Sequence, residues 1–212
     1  MRSLRLLAKG GWWFACLALA AEPGGWQSLF DGKSLDGWAV TKFFDPGQVE
    51  VKDGQIILHA GNSLTGVHRP AAPFRTNYEV ELEAMRLKGR DFFCGLTFPV
   101  GTNCCTFVVG GWGGHLVGVS SLEGLDASMN ETGRNFPFQT RRWYRIRVRV
   151  TPKRLECWID KEKFVDLIVT GRRIGMRPGD IESSQPFGIA SYETTAALRN
   201  IRVRPLPVTE ER

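Results

Sequence analysis

The sequence predicts an all-β protein built as a sandwich of two antiparallel sheets. From Trp26 onward, short apolar-periodic runs alternate at close intervals with Gly, Pro, Asn or Asp, the pattern of strands joined by turns. No stretch shows the apolar spacing of an amphipathic helix of ordinary length. The composition agrees, with 24 Gly and 11 Pro among 212 residues. A chain of this length is ordinary for one β-sandwich, so a single core is expected.

Two segments show the strand pattern most clearly. In segment 77–85 apolar residues alternate with glutamates, and in segment 143–150 they alternate with arginines. The charged positions are Glu79, Glu81 and Glu83 in the first segment and Arg145, Arg147 and Arg149 in the second. Because these charges are complementary, we hypothesise that the two strands lie near one another on one sheet, with Glu opposite Arg on its exposed face.

The remaining predicted strands are shorter. They cover residues 49–51, 55–59, 92–98, 104–109, 115–120, 155–160, 164–169, 187–192 and 198–204. The longest loop-like segment is 122–138, which is rich in polar residues, and long loops on a rigid sandwich commonly carry binding groups. Segment 172–182 has room for one short helical turn at most, because Pro178 and Gly179 interrupt it.

Residues 1–20 have the features of a secretory signal peptide: a basic start, an apolar run and a small-x-small cleavage site at Ala18-Leu-Ala20. The apolar run 12–19 is shorter than the roughly 20 residues of a membrane-spanning helix, so an anchor is the weaker alternative. We expect export to the periplasm, medium or cell surface, without stable membrane insertion. The predicted organisation is signal peptide 1–20, one domain 21–207 and a tail 208–212.

Charge and composition argue against nucleic acid as a partner. Without residues 1–20 the chain keeps 25 basic and 22 acidic residues, a net charge of +3. The remaining basic residues are interleaved with acids and apolar positions, so no single basic patch is expected.

The cysteines leave several possibilities open. Export permits one or two disulfides among Cys94, Cys104, Cys105 and Cys157, and adjacent Cys104 and Cys105 would point to opposite faces of a strand. There is no Cys-x-x-Cys, and the three histidines are scattered along the chain. This spacing does not predict a zinc site, and we expect neither metal nor cofactor.

Segment 26–38, Trp-Gln-Ser-Leu-Phe-Asp-Gly-Lys-Ser-Leu-Asp-Gly-Trp, carries a family resemblance. It resembles the opening of the 3-keto-disaccharide hydrolase domain family, also described as 3-keto-glucoside lyase and 3-keto-2-hydroxy-glucal hydratase domains. Further similar segments, in the family's order, are 51–57, 78–83, 143–150, 158–160, 187–192 and 198–203. The resemblance implies a concanavalin A-like jelly roll that acts on carbohydrate. The chain is a divergent member, because the family's usual central Asn-Ser-Gly and Glu-x-Gln-x-x-Asp segments are missing.

Three residues are candidates for catalysis. Glu83 matches a glutamate of the family and belongs to a row of three carboxylates, an arrangement that some jelly-roll glycosidases use for nucleophile and acid/base. The alternative is an exposed face paired to arginines. Glu131 would act as a general acid/base within reach of His115 if its loop folds back. The alternative for Glu131 is a solvated loop carboxylate without a catalytic role, and the alternative for His115 is a structural histidine.

Four residues are candidates for sugar binding. Sugar rings stack their apolar C–H faces on Trp or Tyr, which favours Trp112 in its Gly-Gly-Trp-Gly-Gly setting and then Tyr192. Asn130 and Arg134, in the long polar loop, would bind hydroxyl groups. The other tryptophans, Trp26, Trp38, Trp143 and Trp158, are expected to pack in the protein, since large aromatic side chains usually bury.

The sequence therefore predicts an exported carbohydrate-active protein. Its expected activity is hydrolysis or elimination of a glycosidic bond, and the family resemblance implies a 3-keto sugar as the substrate. The ketone of such a sugar acidifies the neighbouring C–H, so one base suffices for elimination. The alternatives are a carbohydrate-binding module without turnover and a structural surface domain of the same fold.

Overall fold

A computed structural model describes residues 25–72 and 74–207, and it confirms the predicted all-β sandwich. The predicted signal peptide 1–20 and tail 208–212 lie outside the described residues. Within the described ranges the helical structure is limited to one 3-10 helix, Asp180–Ser184. This helix lies in the segment for which a single short turn was expected. No helix in these ranges is long and apolar enough to cross a membrane.

The strands of the described ranges follow one another along the chain with short connections. They are β1 (Gln27–Ser28), β2 (Ala39–Val40), β3 (Val49–Lys52), β4 (Gln55–Leu58), β5 (Leu64–Arg69), β6 (Tyr78–Lys88), β7 (Cys94–Val100), β8 (Asn103–Gly111), β9 (Leu116–Ser120), β10 (Arg134–Asn135), β11 (Trp143–Val150), β12 (Arg154–Ile159), β13 (Glu162–Ile168), β14 (Phe187–Tyr192) and β15 (Thr195–Pro205).

These strands form two antiparallel sheets. The first sheet has the order β13-β12-β11-β6-β15-β4-β3, and β1 pairs with β15 beside this path. The second sheet has the order β10-β9-β8-β7-β14-β5-β2. Neighbours in space are often distant in the chain, as with β6 and β15, so the chain crosses repeatedly between the sheets.

The predicted pairing of the glutamate and arginine strands is confirmed. β6 and β11 are antiparallel neighbours, and each glutamate lies directly opposite an arginine. The pairs are Glu79 with Arg149, Glu81 with Arg147 and Glu83 with Arg145. β15 flanks β6 on its other side and adds Arg199, Arg202 and Arg204, which form ion pairs with the same glutamates.

The core lies between the inward faces of the sheets. Tyr78, Val80, Leu82 and Ala84 of β6 are each at most 1% exposed, as the alternation predicts. The largest fully buried side chains are aromatic and aliphatic residues from both sheets. The Tyr78 hydroxyl donates a hydrogen bond to the carbonyl of Pro99, 2.5 Å away. The two sheets are thus joined by a polar contact within an apolar core.

One long strand escaped prediction. β5 begins at Leu64, and its first four residues are all buried because both of its faces are covered. Alternation is visible only when one face meets water, so β5 has no period-two signal. The two-residue strands β1, β2 and β10 are too short to show any period.

The four described cysteines are free, so the disulfides that export would permit are not formed. Cys104 and Cys105 do point to opposite faces of β8: Cys105 joins the core, and the Cys104 thiol faces the carbonyl of Pro186. Burial raises the pKa of the Cys94, Cys105 and Cys157 thiols well above its usual range. These three thiols therefore stay protonated and unreactive.

Candidate functional site

The best-defined cavity lies on the outer face of the second sheet. Its volume is about 260 Å³, and its walls come from strands, from the turn between β8 and β9 and from the 3-10 helix region. The lining residues are Ser63, Leu64, Phe92, Thr106, Val108, Trp112, Ser120, Arg177, Pro178, Asp180, Ile181 and Tyr192. Trp112 and Tyr192 were predicted as sugar-binding residues, and the structure brings them to this one cavity.

Two loop segments cover the sheet around the cavity. The first covering segment, residues 122–133, packs Ala127 against Val108 and Leu116 of the sheet. The second covering segment, residues 172–185, places the 3-10 helix over β14 and β5. Residues 177, 178, 180 and 181 of the second covering segment line the cavity together with residues of the sheet.

Two glycines allow the covering segments to approach the sheet. A Cβ atom at Gly188 would lie 2.5 Å from the carbonyl oxygen of Ser184, far inside van der Waals contact. A Cβ atom at Gly118 would lie 3.1 Å from the Cβ of Ala127. The absence of side chains at these two strand positions therefore lets the covering segments lie close against the sheet.

Arg172 ties the two covering segments together. Its guanidinium donates to the carboxylate of Glu123 at 2.9 Å and to that of Glu131 at 2.7 Å. These hydrogen bonds from Arg172 lower the pKa of both carboxyl groups. A backbone hydrogen bond from the N–H of Glu123 to the carbonyl of Arg173, at 2.8 Å, adds a second link between the two segments.

Trp112 stands at the rim of the cavity. It is 43% exposed, and its backbone has φ 47°, a left-handed conformation that is costly for a large side chain. The neighbouring turn is fixed by Gly113, whose N–H donates to the Asp91 carboxylate at 3.1 Å. The Arg177 guanidinium lies 5.4 Å from the centre of the indole ring. Its exposure and left-handed backbone keep Trp112 a candidate for a functional position.

Phe92 and Tyr192 form the aromatic wall. Their rings stack with centroids 6.0 Å apart, and the backbone N–H of Tyr192 donates to the carbonyl of Phe92. The negative charge of Glu193 raises the pKa of the Tyr192 hydroxyl, which stays protonated and able to donate a hydrogen bond. Trp112, Phe92 and Tyr192 thus give the cavity three aromatic surfaces.

Three polar side chains of the cavity, those of Ser120, Arg177 and Asp180, have no hydrogen-bond or ion-pair partner among the described residues. Within the described residues, Arg177 and Asp180 form neither an ion pair nor a side-chain hydrogen bond. The Ser120 hydroxyl is buried and has no hydrogen-bond partner in the same part of the chain. A buried hydroxyl without a hydrogen-bond partner is costly, and a polar ligand would supply that partner to Ser120. The side chains of Arg177 and Asp180 are available to the same ligand.

Asn130 and Arg134 lie in a neighbouring groove of about 340 Å³, which Trp112 also lines. The Asn130 amide donates to the carbonyls of Val119 and Asp126, and its oxygen accepts from the backbone of Thr132. Its hydrogen-bonding groups therefore organise the first covering segment. Arg134 is exposed in the two-residue strand β10.

The three predicted catalytic residues lie elsewhere, and within the described chain none of them lines the cavity. Glu83 lies on the outer face of the first sheet, where Arg199 donates to it at 2.7 Å. Glu131 pairs with Arg172, and no hydrogen bond between described residues joins it to His115. His115 is exposed beside the β8–β9 turn. The structure does not bring these three residues to one site.

Four residues that line the cavity were not predicted from the sequence: Arg177, Asp180, Ser120 and Phe92. Arg177 and Asp180 flank Pro178-Gly179, which signalled only a break in helical structure. Ser120 and Phe92 looked like ordinary strand residues. A serine at an outward position of a strand that is otherwise apolar was the one available signal.

Comparison with known proteins gives a family for the chain. The model of the 3-keto-alpha-glucoside-1,2-lyase-like domain matches residues 25–204, which is nearly the whole described chain. None of the curated proteins matches the chain in sequence.

Several solved structures share the fold at low identity. The carbohydrate-binding module CBM66 from Bacillus subtilis is 13% identical with a TM-score of 0.50, over 79% of this chain and 95% of that one. Domain 4 of AbnA, an extracellular arabinanase of Geobacillus stearothermophilus solved with arabinotriose, is 12% identical with a TM-score of 0.51, over 81% and 84%. The Crh5 transglycosylase in complex with NAG is 12% identical with a TM-score of 0.52, over 83% and 84%.

Proposed function

Because the chain belongs to the 3-keto-alpha-glucoside-1,2-lyase-like domain family, we propose that it binds a glycoside in the cavity of Trp112 and Tyr192 and cleaves the glycosidic bond of the 3-keto form. The observation that carries the proposal is the combination of aromatic walls with unpaired polar groups in one cavity. A sugar needs both, since its C–H faces are apolar and its hydroxyls require hydrogen-bond partners.

The cavity favours elimination over a mechanism with two carboxylates. Paired acids about 5–9.5 Å apart are typical of most glycoside hydrolases. Of the described carboxylates, Asp180 alone lines this cavity. Elimination from a 3-keto glycoside requires one base, which removes the proton next to the ketone while the glycosidic C–O bond breaks and the leaving oxygen takes a proton. Asp180 is the proposed base, in place of Glu83, Glu131 or His115.

Arg177 is the proposed partner of the developing negative charge. Removal of the proton next to a ketone places charge on the ketone oxygen, and a fixed cation stabilises it. Arg177 lines the same cavity as Asp180 and forms no ion pair within the described residues. Its charge is therefore free to act on a bound substrate.

A second candidate function is binding without turnover. It is favoured by the missing central segments of the family and by a neighbour of the same fold that is a carbohydrate-binding module. In this case Trp112, Tyr192 and Arg177 serve as the binding surface alone.

A direct test separates the two functions. The purified protein is incubated with a 3-keto-glucoside and with the unoxidised glucoside, and products are followed by NMR. We expect product from the 3-keto form and its loss in Asp180→Asn. The control Asp36→Asn changes another exposed aspartate, which does not line the cavity, and should keep full activity. Sugar binding without any product would leave the binding module as the function.

We also propose export, on the basis of residues 1–20. Mass spectrometry of the protein recovered from a bacterial host is expected to find a chain beginning near residue 21. A full-length chain retained in the cytoplasm would contradict this.

A further inference from the structure

The outer face of the first sheet carries an excess of positive charge. Two rows of arginines flank the glutamates of β6, one row on β11 and one on β15. These rows, which we call the arginine face, are Arg145, Arg147 and Arg149 together with Arg199, Arg202 and Arg204. Six guanidinium groups thus stand against three carboxylates on these strands, an excess of three positive charges. On the flanking strands β12 and β13, two cations pair with two carboxylates and leave this excess unchanged.

The order of residues in the sequence predicted no single basic patch, and here the structure differs. Basic residues alternate with apolar ones along β11, but side chains of a strand point alternately to its two faces. Arginines at every second position therefore share one face. The pairing of β6 with both β11 and β15 then brings the two rows together from distant segments of the chain.

The arginines form the outer layer of this face and the carboxylates the inner one. The Glu79 side chain is fully buried, and those of Glu81 and Glu83 are 13% and 20% exposed. The five arginines that pair with them are 30–36% exposed. Arg145 is exposed and forms neither an ion pair nor a side-chain hydrogen bond within residues 25–72 and 74–207. An approaching partner therefore meets guanidinium groups before it meets carboxylates.

The guanidinium groups are held from below. That of Arg147 lies 4.0 Å from the centre of a ring of Trp158, and that of Arg199 lies 4.0 Å from the ring centre of Trp143. Hydrogen bonds to the glutamates of β6 hold others in the two rows. Groups that are fixed in this way lose little conformational freedom when they bind an anion.

The spacing of the arginine face suits a ligand with repeated charges. Alternate residues of one strand lie about 7 Å apart, and two strands that flank a common neighbour lie about 10 Å apart. A small anion contacts one or two groups of such an array, whereas a linear polyanion contacts many of them.

A basic groove of about 370 Å³ lies where the β11 row ends. Its lining includes Arg149, Lys153 and Arg154 against a single carboxylate, that of Glu156, and adds two threonines. Because Arg149 belongs to both, the arginine face continues into a groove that also favours anions.

We propose that the arginine face binds an acidic polysaccharide through carboxylate or sulfate groups repeated along its chain. Guanidinium groups match such oxyanions in geometry and bind them through paired hydrogen bonds. This site lies on the first sheet, away from the cavity of the second, so the inference goes beyond the proposed function and does not depend on it.

Two other polyanions fit the arginine face less well. Attachment to a lipid surface combines basic residues with inserted apolar side chains. None of the exposed large apolar side chains of the described residues lies on β6, β11 or β15. Single-stranded nucleic acid stacks its bases on open aromatic rings, whereas guanidinium groups cover Trp143 and Trp158 on this face.

Calorimetry with polygalacturonate and with dextran sulfate tests the proposal. The unmodified protein is expected to bind these acidic polymers, and an excess of neutral dextran should not displace them. Arg145→Gln is expected to weaken binding about tenfold, as the loss of one hydrogen bond from a charged group implies. Affinity should also fall when NaCl is raised from about 0.1 M to about 1 M, which shortens the Debye length from about 10 Å to about 3 Å.

The matched control is Arg134→Gln. Arg134 is also exposed and without an ion pair among the described residues, but it lies on the second sheet, and its loss changes the net charge equally. Equal weakening by the two variants, or affinity that is unchanged at high salt, overturns the arginine face as the binding site. Binding to phosphatidylglycerol vesicles or to oligo-dT, with neither acidic polymer bound, overturns the polysaccharide as the ligand.

A separate readout keeps this inference distinct from the proposed function. Arg145→Gln should form product from the 3-keto-glucoside as the unmodified protein does. Absence of product with intact binding of the acidic polymers overturns the proposed cleavage alone, and product without such binding overturns the arginine face alone.

Discussion

The outer faces of the two sheets use charge in opposite ways. On the first sheet, Glu79 is fully buried beneath Arg149 and Arg204, and the neighbouring glutamates are paired as well. On the second sheet, Arg177 and Asp180 line a cavity without forming an ion pair among the described residues. Charges that are satisfied by each other hold a surface together, whereas charges without partners are available to a ligand.

Tryptophan follows the same division. On the first sheet arginine guanidinium groups cover Trp143 and Trp158, each with one at 4.0 Å from the ring centre. Trp26 lies under two further arginines. On the second sheet Trp112 is 43% exposed beside the cavity. The nearest guanidinium groups thus lie 4.0–4.7 Å from the ring centres on the first face, whereas Arg177 lies 5.4 Å from that of Trp112, which stays partly exposed.

The largest expected effect comes from the first face. Glu79→Ala leaves Arg149 and Arg204 without their shared buried carboxylate, and removal of one partner of a buried pair typically costs 3–5 kcal/mol. Because these arginines are about a third exposed, we expect a loss near the lower limit, about 3 kcal/mol in the free energy of unfolding. Urea unfolding of the variant and the unmodified protein measures this loss in free energy of unfolding.

The control for this prediction lies on the same strand. Glu83 is partly exposed, so Glu83→Ala should cost about 1 kcal/mol or less. Neither variant should change sugar binding. If Glu79→Ala costs no more than Glu83→Ala, burial does not distinguish the two glutamates.

The next prediction concerns a substitution that should lower both the stability of the protein and its affinity for sugar. In Gly188→Ala the new Cβ meets the Ser184 carbonyl, and overpacking of this kind costs about 1–3 kcal/mol. The 3-10 helix has to move away and takes Asp180 with it, so sugar affinity should fall together with the melting temperature. Gly175→Ala, in the same covering segment but with nothing within 4 Å of the added Cβ, is the matched control. A Gly188→Ala protein with unchanged sugar binding would show that the helix does not form a wall of the site.

A smaller effect on stability is expected at Trp112. Trp112→Gly relieves the left-handed strain, worth about 1–2 kcal/mol, and adds the backbone entropy cost of glycine, about 0.5–1 kcal/mol. Its free energy of unfolding should thus stay within about 1 kcal/mol of the unmodified protein and exceed that of Trp112→Ala, which keeps the strain. Both variants should lose sugar binding. A Trp112→Gly protein less stable than Trp112→Ala would mean that the backbone there is not strained.

The smallest effect concerns acid stability. Arg172 lowers the folded-state pKa of Glu123 and Glu131 below their ordinary value of 4.5. The stability that this provides is complete above that ordinary value and is lost as the pH falls through the lowered folded-state values. The Arg172→Gln protein should therefore lose less of its free energy of unfolding than the unmodified protein does when the pH is lowered from about 5 to about 3. Urea unfolding midpoints at these pH values measure the difference. Arg145→Gln should behave as the unmodified protein does, and an identical slope for Arg172→Gln would exclude the proposed tie between the covering segments.

The regular strands could be predicted because alternation survives wherever one face of a sheet meets water. The strand predicted at 143–150 coincides with β11, and the glutamate strand was found to within a few residues of β6. β5 could not be found in this way, since its outer side lies under the second covering segment. The second covering segment, which hides β5, also lines the cavity, so the candidate site lies where the period-two signal fails.

By itself, the sequence determined the two-sheet class, the pairing of β6 with β11 and the choice of Trp112 and Tyr192 as candidates, because period, charge complementarity and residue type are local properties. The tertiary structure alone decided that Glu83 faces arginine on the first sheet and that Arg177, Asp180 and Ser120 meet around one cavity. Ser120 is more than fifty positions from Arg177 and Asp180 along the chain, and only the packing of the second covering segment on the second sheet brings them together. Long-range contacts of this kind leave no periodic trace in the sequence.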